Sequence, residues 1–366
     1  MPINEKFITP KVLNNTLKRE VWPEIHVKSM PKMGKVRTVY DIGDTKLIMV
    51  SSDNLSTHDV VHKRQVFAKG ENLDAISSFY FEKTENIIKN HFFADLAPNT
   101  WLVERTDPIR IEFVFRQYLT GSGWKAYKES NGPEKGMNFC GVFLRPGYRK
   151  NEKLDELIFT PTAKGQARDF IIPEFMAVNS DEDDPKLDVA AIINNYQAFG
   201  LKDKNDLYKI IEASKELYSF IHTDLMNKGY LLADTKWEFG YDKDKKILLI
   251  DECVTPDSSR FWNAKEYKLN PEKNEFSIVQ DDKQHFRDHI ESIGLHLPEK
   301  KAELAEYWMP DDVLKEGVIK YCNIREAITG TLPVITATPR IDMISNDLMM
   351  LGLLEDKIQG STMEKK

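Results

Sequence analysis

The sequence has few cysteines for its length: Cys140, Cys253 and Cys322 are the only ones among 366 residues, far apart and odd in number. A disulfide framework is therefore not indicated. No apolar run reaches the roughly 18 residues that a membrane span needs, and the N-terminal segment MPINEKFITPKVLNN lacks the apolar core of a signal peptide. These absences predict a reduced, soluble, cytoplasmic protein without a membrane partner.

Basic residues are in the minority, because 51 Lys and Arg stand against 58 Asp and Glu. This balance argues against a nucleic-acid partner, which would require a basic face. GxSxG, Walker A and paired CxxC motifs are absent. The segment HDVVH has two histidines four residues apart but lacks the glutamate of the zinc-protease motif, so a zinc site is rejected. With 41% hydrophobic residues, the chain can form two domains or one domain with large insertions.

The hydrophobic pattern mixes strands and helices rather than alternating them regularly. The predicted elements are a hairpin at 35–52 turning at Gly43-Asp44, a helix at 73–90, two strands within 101–119, a helix capped by Ser122, a helix at 203–229, a hairpin at 228–253 and a helix at 311–329. This order favours an α+β fold over repeated βαβ units.

The second hairpin carries charge where a buried strand is expected to end. If its turn is centred on Lys243-Asp244, Lys236 pairs with Asp251. Paired residues share a face of a sheet, and faces alternate along each strand, so one face is polar and the other apolar. The polar face comprises Asp234, Lys236, Glu238 and Asp251, and the apolar face comprises Trp237, Phe239, Leu248 and Ile250.

The polar face of this hairpin has two interpretations. Its three carboxylates repel one another unless a cation lies among them, and a few carboxylates with waters and phosphates are the usual ligands of Mg²⁺ on a nucleotide. Lys236 would then meet a phosphate as a point charge. The alternative is a solvent-exposed face with ordinary salt bridges worth ~0.2–1 kcal/mol each. The following segment TPDSSRFW, which such salt bridges do not require, favours the functional interpretation.

Three further segments contain residues that could bind a ligand, although the indication from each segment alone is weak. In MGKVRTVY, Gly34 allows close approach of a phosphate, and Lys35 and Arg37 lie on one strand face; a simple turn before a strand is the alternative. In FRQYLTGSGW, Arg116 precedes Ser122 at a helix start that can bind an anion, although a capped helix with a surface arginine explains it equally well. The segment SDNLSTHDVV contributes Asp53, Ser56 and Asp59 and, taken alone, resembles a polar loop.

Taken together, these segments resemble the motifs of one enzyme family. The segments are GKVRTVYDIGD, SDNLSTHDVV, FVFRQYLTGSGWKAYKE, CGVFL, FTPTAK, LLADTKWEFG and LIDECVTPDSSRFW. In this order they resemble phosphoribosylaminoimidazole-succinocarboxamide synthase (SAICAR synthetase), from about residue 33 to about residue 265. The family uses ATP to join the carboxylate of carboxyaminoimidazole ribonucleotide (CAIR) to the amine of L-aspartate in de novo purine synthesis.

The resemblance implies a two-lobed, ATP-grasp-like α+β fold with antiparallel sheets and ATP bound between the lobes. The expected divisions are a nucleotide-binding lobe at 1–106, a substrate- and metal-binding lobe at 107–330 and an extension at 331–366. The extension has too many apolar residues for a solvated tail. It must pack on its own body or at a subunit interface, and a homo-oligomer is one of these alternatives.

For the nucleotide, the resemblance implies a site for ATP and Mg²⁺ made by residues of both lobes. Gly34, Lys35 and Arg37 would lie over the phosphates, Glu104, Arg105 and Thr106 would form a hinge against adenine, and Lys236 and Glu238 would touch the nucleotide. Asp251 would hold Mg²⁺ with Glu238, and Lys35, Lys236 and Asp251 would form the catalytic set.

For the substrates, the resemblance implies a second phosphate site. Arg116, Ser122 and Arg260 would grip the 5′-phosphate of CAIR, which explains the arginine in TPDSSRFW. Asp53, Ser56, Asp59 and Asp234 would serve the substrate side. An acyl phosphate is the expected intermediate, because a carboxylate is a poor acyl donor until it is phosphorylated.

The sequence also departs from the family, and other functions stay open. After FTPTAK, only Asp169 matches the family's His-Asp-Glu segment, and residues beyond about 330 have no counterpart. A kinase-like phosphotransferase would use the same nucleotide face without needing the second phosphate site. A nucleotide-sensing protein with a degenerate site would have lost at least one of Lys35, Lys236, Glu238 and Asp251, and all four are present.

Overall fold

The computed structural model describes residues 8–18, 31–165, 170, 184–336 and 338–353. Within these residues the strands form a five-stranded sheet, a seven-stranded sheet and three two-stranded sheets, and each pairing of named strands is antiparallel. Helices accompany the sheets, so the predicted α+β class is confirmed. No helix in this part of the chain is long and apolar enough to cross a membrane.

The strands are β1 (Lys32–Met33), β2 (Arg37–Asp41), β3 (Lys46–Ser51), β4 (Asn54–Thr57), β5 (Val60–Gln65), β6 (Phe92–Ala97), β7 (Thr100–Glu104), β8 (Asp107–Pro108), β9 (Ile111–Tyr118), β10 (Met137–Phe139), β11 (Val142–Leu144), β12 (Lys153–Phe159), β13 (Thr162–Ala163), β14 (Tyr230–Tyr241), β15 (Ile247–Ile250), β16 (Ser259–Asn263), β17 (Lys268–Asn270) and β18 (Glu275–Ser277). The helices are α1 (Pro10–Leu13), α2 (Lys69–Lys83), α3 (Gly121–Glu129), α4 (Gly132–Lys135), α5 (Val189–Asn194), α6 (Lys204–Asn227), α7 (Gln284–Ser292), α8 (Lys301–Glu306), α9 (Asp311–Thr329) and α10 (Arg340–Met350), with a 3₁₀ turn at Pro298–Lys300.

The five-stranded sheet has the order β1-β2-β3-β7-β6 and is built on the first predicted hairpin. The turn at Gly43-Asp44 sets the register that pairs Arg37 with Ser51. Along β2, Thr38 and Tyr40 are buried while Arg37 and Val39 are partly exposed, as expected for a strand whose side chains alternate. The strand therefore turns Arg37 toward a cavity and Tyr40 toward the core.

The seven-stranded sheet is organised around β14, which pairs with β8, β9, β15 and β16. One side of this sheet carries an aromatic core in which the Phe113 and Phe239 rings meet edge to face, 4.9 Å between centroids. The long helix α6 packs on β14, and the prediction of a helix at 203–229 is confirmed. The other side of β14 carries the side chains of Asp234, Lys236 and Glu238, which occupy every second position of the strand.

The predicted register of the second hairpin is wrong by one residue. The structure pairs Glu238 with Ile250 and Tyr241 with Ile247, so Lys236 does not face Asp251. An odd number of residues lies in the loop between Tyr241 and Ile247, which shifts the register by one. Within this loop Lys245 adopts a left-handed φ of 63°, and the carboxylate of Asp242 accepts two backbone N–H groups. Ile250 and Leu248 consequently share the face of Glu238 rather than that of Phe239.

Two helix starts also differ from the prediction. Helix α2 begins at Lys69 rather than 73, because its first turns bury polar residues with tertiary partners instead of an apolar stripe. It also ends at Lys83 rather than at the predicted residue 90, and the hydroxyl of Thr84, which follows it, donates to the carbonyl of Tyr80. Helix α3 has Thr120 at its N-cap, so Ser122 lies inside the first turn and does not cap it.

The part of the extension that the structure describes packs on the five-stranded sheet. Ile344 and Leu348 of α10 are fully buried and join a cluster with Leu17, Ile48 and Val50. Strand side chains and helix side chains thus share one core. Intramolecular contacts therefore cover Ile344 and Leu348, whereas Met350 at the end of the helix is 87% exposed.

Truncation after Gly330 is expected to lower the melting temperature without changing the number of subunits per particle. Burial of each of Ile344 and Leu348 contributes roughly 1.5–3 kcal/mol, and the truncated chain loses both. Light scattering and thermal unfolding measure the two quantities, and truncation after Leu353 is the control that retains α10. A smaller particle would instead place the extension at a subunit interface, and an unchanged melting temperature would contradict both arrangements.

Candidate active site

Two adjoining cavities contain most of the charged residues singled out above. The larger, of about 840 Å³, is lined by Gly34, Lys35 and Arg37 together with Glu238 and Asp251. The smaller, of about 370 Å³, is lined by Arg116, Ser122, Asp234 and Arg260. Asp59, Lys236 and Lys283 belong to both linings. The cavities therefore adjoin along β14, one on the side of the five-stranded sheet and one on the side of α3.

In the large cavity, carboxylates and cations alternate. Arg37 donates from Nη1 to Asp251 Oδ1 at 2.9 Å and from Nη2 to Glu252 Oε2 at 3.2 Å. Asp251 reaches this position because it leaves β15 with a left-handed φ of 65°, not because it pairs across the hairpin. The predicted cluster forms only in part: the turn after the strand brings Asp251 into the cavity of Lys236 and Glu238, whereas Asp234 lines the small cavity.

A second group of charges in the large cavity surrounds Glu238. Lys164 forms an ion pair with Glu238 Oε2, and Lys236 Nζ lies 3.6 Å from Glu238 Oε1 and 2.6 Å from Glu112 Oε1. Glu112 is on the neighbouring strand β9. Each of the two carboxylates predicted to hold a metal, Glu238 and Asp251, is thus already in contact with a cationic side chain.

The two carboxylates differ in acidity. Burial raises the pKa of Glu238, and the negative charge of Asp251 raises it further. Burial alone would also raise the pKa of Asp251, but the cations Arg37, Lys164 and Lys236 outweigh it and bring that pKa to about 2. Asp251 is therefore ionised throughout the physiological range.

At the mouth of the large cavity, the charged side chains are exposed to solvent. Lys35 Nζ lies 2.7 Å from Asp59 Oδ1, and both side chains are more than half exposed. Gly34 donates to the carbonyl of Arg37 at 2.7 Å, and a Cβ at Gly34 would lie only 3.0 Å from that oxygen. The tight turn therefore suits glycine and leaves Lys35 free to reorient toward a ligand.

In the small cavity, two arginines converge on one carboxylate. Arg116 Nη1 and Arg260 Nη1 donate to Asp234 Oδ2 at 2.7 and 2.5 Å, and Arg116 Nη2 donates to Ser122 Oγ at 3.3 Å. Gly121 has a φ of 52°, and a Cβ there would lie 2.3 Å from Arg260 Nη2. The side chains predicted to grip a phosphate are thus together, and Asp234 contacts both guanidinium groups.

Several functional candidates escaped sequence reasoning. Asp257 is nearly buried and binds two lysines, Lys69 Nζ at 2.7 Å and Lys283 Nζ at 3.3 Å, and it accepts from the hydroxyl of Tyr321 at 2.7 Å. Burial lowers the pKa of Lys283 to about 8, although Asp257 opposes the shift. Lys283 and Arg287 line both cavities. In the sequence, the spacing of four residues between Lys283 and Arg287 could have indicated two cations on one face of a helix.

Asp257→Asn is expected to destabilise the protein by about 3–5 kcal/mol, because removing one partner of a buried ion pair leaves the other charge uncompensated. Here the amide would face two lysines, and its NH₂ group cannot accept from either. Urea unfolding measures the loss. Glu306→Gln is the matched control: it removes a carboxylate bonded to Lys63, but one whose side chain is 75% exposed. An equally small effect of both substitutions would contradict the prediction.

Glu112 and Lys164 were also missed. Glu112 lies four residues before Arg116 on β9. Because side chains alternate along a strand, both are on the face that lines the cavities. Lys164 ends the segment FTPTAK, whose resemblance to the family assigned it no role. The neighbouring Asp169 lies outside the described residues.

Some predicted site residues lie elsewhere. Both carboxylate oxygens of Asp53, a fully buried residue, accept backbone N–H groups, from Leu17 and from Gly70 at 2.9 Å. Arg105 pairs with Asp41. Within the described chain, the linings of these two cavities include Ser56 but neither Asp53 nor the hinge residues 104–106. Asp53 therefore fixes the start of the β4–β5 hairpin, which carries Ser56 on β4 and Asp59 in its turn.

Comparison with known proteins finds related sequences. The family model described as SAICAR synthetase matches residues 30–304. A protein of Saccharophagus degradans named phosphoribosylaminoimidazole-succinocarboxamide synthase is 34% identical over 317 residues, which cover 82% of this chain and 83% of that one. A protein of the same name from Methylobacillus flagellatus is 33% identical over 311 residues, covering 81% and 93%.

Solved structures are similar as well. "SAICAR-synthase from Saccharomyces cerevisiae complexed SAICAR" has a TM-score of 0.65 at 29% identity, covering 84% of this chain and 96% of that chain. "SAICAR synthetase (Type-2) in complex with ADP" has a TM-score of 0.57 at 26% identity, covering 83% and 100%. The similarity therefore extends over most of the fold that carries both cavities.

Proposed function

Because this chain belongs to the SAICAR synthetase family, we propose that it joins CAIR and L-aspartate, with ATP, to give SAICAR, ADP and phosphate. The observation that carries the proposal is the pair of adjoining cavities. One contains the carboxylates and cations suited to a nucleotide with its metal, and the other contains two arginines suited to a second phosphate. A ligase that activates a phosphorylated substrate needs both.

In this reaction the ribonucleotide carboxylate is activated before the amide forms. A carboxylate oxygen attacks the γ-phosphorus of ATP, the bond to the β-phosphate oxygen breaks, and ADP leaves. The aspartate amine, neutral after loss of one proton, then attacks the acyl carbon, and phosphate leaves with the C–O electron pair. The nitrogen loses a second proton to solvent to give the neutral amide. The first step depends on positioning and charge neutralisation more than on covalent help.

The residues of the large cavity supply that positioning. Lys35, at the open mouth, and Arg37 face the phosphates from the five-stranded sheet, and Lys236 faces them from β14. Lys236 is charged for this role, because the carboxylates of Glu112 and Glu238 raise its pKa in spite of its burial. Glu104 to Thr106 join the two sheets at the proposed lobe boundary, beyond the lining of the large cavity. They would contact adenine where ATP extends past that lining, between the lobes of an ATP-grasp-like arrangement.

Mg²⁺ fits the chemistry of the same cavity. Within the part of the chain that the structure describes, no three His, Cys, Asp or Glu residues converge as a metal site. Asp251 and Glu238 suit an ion that takes its remaining ligands from phosphates and water. Bound there, Mg²⁺ would neutralise the charge on the phosphates. Arg37 and Lys164, which now contact these carboxylates, show that the pair accepts positive charge.

The small cavity would hold the ribonucleotide. Arg116, Ser122 and Arg260 would bind its 5′-phosphate, and Asp234 would orient the two guanidinium groups. Ser56 and Asp59 would serve the substrate side from the β4–β5 hairpin, with Asp53 supporting the start of that hairpin. The cytoplasmic location, the lack of a nucleic-acid partner and the oligomeric state remain predictions.

A coupled assay of ADP release tests the proposed function. ADP release is expected only when both CAIR and L-aspartate are present, with SAICAR formed in equal amount. Release with another carboxylate or hydroxyl acceptor alone would support the kinase-like alternative. Binding of ATP without release under any of these conditions would support a nucleotide-sensing protein.

A further inference from the structure

The C-terminal extension contributes one charged side chain to the interior of the protein. Arg340, the first residue of α10, has a side chain that is only 2% exposed. Its Nη1 donates to Glu71 Oε2 at 2.7 Å and lies 3.3 Å from Asn99 Oδ1, and its Nε lies 3.8 Å from Asp53 Oδ2. A buried guanidinium is costly unless it is paired, so these partners determine where α10 can begin.

One set of contacts leads from Arg340 to the large cavity through Asn99 and Ser51. The amide nitrogen of Asn99 donates to the carbonyl of Ser51 at 2.7 Å. The hydroxyl of Ser51 accepts from Arg37 Nε at 3.2 Å. Arg37 in turn donates to Asp251 at 2.9 Å. The extension is therefore linked to the proposed metal-binding carboxylate by hydrogen bonds on either side of Ser51, whose covalent framework joins its carbonyl to its hydroxyl.

A second set of contacts runs through the first two turns of α2. Glu71, which accepts from Arg340, is three residues before Asp74, and Asp74 accepts from the hydroxyl of Ser51 at 2.6 Å and lies 3.9 Å from Arg37 Nη2. The start of α2 is pressed against the sheet: a Cβ at Gly70 would lie 2.4 Å from the carbonyl oxygen of Ser51. A shift of Glu71 would therefore be transmitted to Asp74 and Ser51.

Both sets of contacts end on the same guanidinium. Arg37 is buried against Asp74, Asp251 and Glu252, and Ser51 is the neutral group that fixes its Nε. Three carboxylates around one arginine allow more than one pairing, so the orientation of Arg37 depends on how Ser51 and Asp74 are held. Arg340 lies beyond the segment that matches the family, and its side chain touches neither cavity lining described above.

We propose that Arg340 is a positioning residue of the active site, which holds Ser51 and Asp74 through Asn99 and Glu71 and thereby keeps Arg37 directed at Asp251. The proposal rests on the proposed roles of Arg37 and Asp251. A supporting contact behind a functional group commonly changes activity about 10–100-fold when it is removed. The extension is thus part of the catalytic scaffold as well as a cover for the sheet.

The test is Arg340→Ala in the full-length chain, assayed where the variant is folded. We expect kcat to fall about 10–100-fold, with the KM for CAIR changed less than about threefold, because the small cavity is untouched. Guanidinium ion at low millimolar concentration should restore part of kcat in the variant and leave the wild type unchanged. A crystal structure of the variant should show Arg37 displaced from Ser51.

Leu348→Ala is the matched control, since it removes a fully buried side chain of the same helix without touching the polar contacts. It should lower the melting temperature and leave kcat near wild type. Equal losses of kcat in the two variants at equal folded fraction, or wild-type kcat in Arg340→Ala, would overturn the proposal.

If Arg340→Ala does not fold, Arg340→Lys replaces it. Lysine keeps the charge beside Glu71 but lacks the guanidinium geometry, so a reduced kcat is expected and wild-type kcat overturns the proposal.

Arg37→Ala separates this proposal from the role assigned to Arg37. A large loss of turnover in Arg37→Ala with none in Arg340→Ala would overturn the positioning role alone. Wild-type turnover in Arg37→Ala would overturn the role of Arg37 and this proposal with it, while ADP release dependent on both acceptors would still support the ligase activity.

Discussion

Asp251→Asn is expected to lower kcat about 10²–10⁴-fold and to leave the protein folded. The asparagine keeps the shape of the side chain but removes the charge that Arg37 contacts at 2.9 Å and that would bind Mg²⁺. Loss of a charged metal ligand at a phosphoryl-transfer site costs several kcal/mol of transition-state stabilisation. The measurement is kcat as a function of Mg²⁺ concentration, together with the melting temperature.

Asp244→Asn is the matched control for this substitution, because it removes a carboxylate from the exposed turn of the same hairpin. It should leave kcat unchanged. Near wild-type turnover of Asp251→Asn at limiting Mg²⁺ would remove Asp251 from the proposed metal site. A large rise in the Mg²⁺ requirement would support it.

Arg260→Lys is expected to raise the KM for CAIR about 10–100-fold and the KM for ATP less than about twofold. A guanidinium forms two parallel hydrogen bonds with a phosphate, and an ammonium cannot reproduce that geometry. Arg260 already has a fixed orientation, since it donates to Asp234 at 2.5 Å and packs against Gly121. Steady-state kinetics with each substrate varied in turn measures the two constants.

The control for Arg260→Lys is Arg145→Lys, in which the replaced guanidinium is 44% exposed and pairs with Glu152 and Asp155 away from both cavities. This control should change neither KM. Equal increases for CAIR and ATP in Arg260→Lys, or an increase for ATP alone, would place Arg260 at the nucleotide rather than at the second phosphate.

The elements that repeat a simple period could be predicted from sequence. The helix predicted at 203–229 is observed at Lys204–Asn227, and the one predicted at 311–329 is observed at Asp311–Thr329. Their apolar side chains recur at helical spacing, and burial of that stripe is a local property of the chain. The first hairpin follows for a similar reason, because Gly43-Asp44 suits a tight turn.

The register of the second hairpin and the start of α2 could not be predicted in this way. The register depends on an odd number of loop residues and on the left-handed conformation of Lys245, and several loop lengths fit the same letters. The first turn of α2 has a buried lysine and buried Glu71 rather than an apolar stripe. Their charges are paired only through tertiary contacts, Lys69 with Asp257 and Glu71 with Arg325 and Arg340.

By itself the sequence determined which chemical groups this protein has and the faces on which many of them lie. Strand alternation placed Asp234, Lys236 and Glu238 together, and the motif resemblance identified Arg116, Ser122 and Arg260 as one group. The tertiary structure alone decided which distant groups meet: Arg37 with Asp251, Lys69 and Lys283 with Asp257, and Arg340 with Glu71. Periodicity reports the orientation of a side chain relative to its own element, whereas such contacts depend on how separate elements pack.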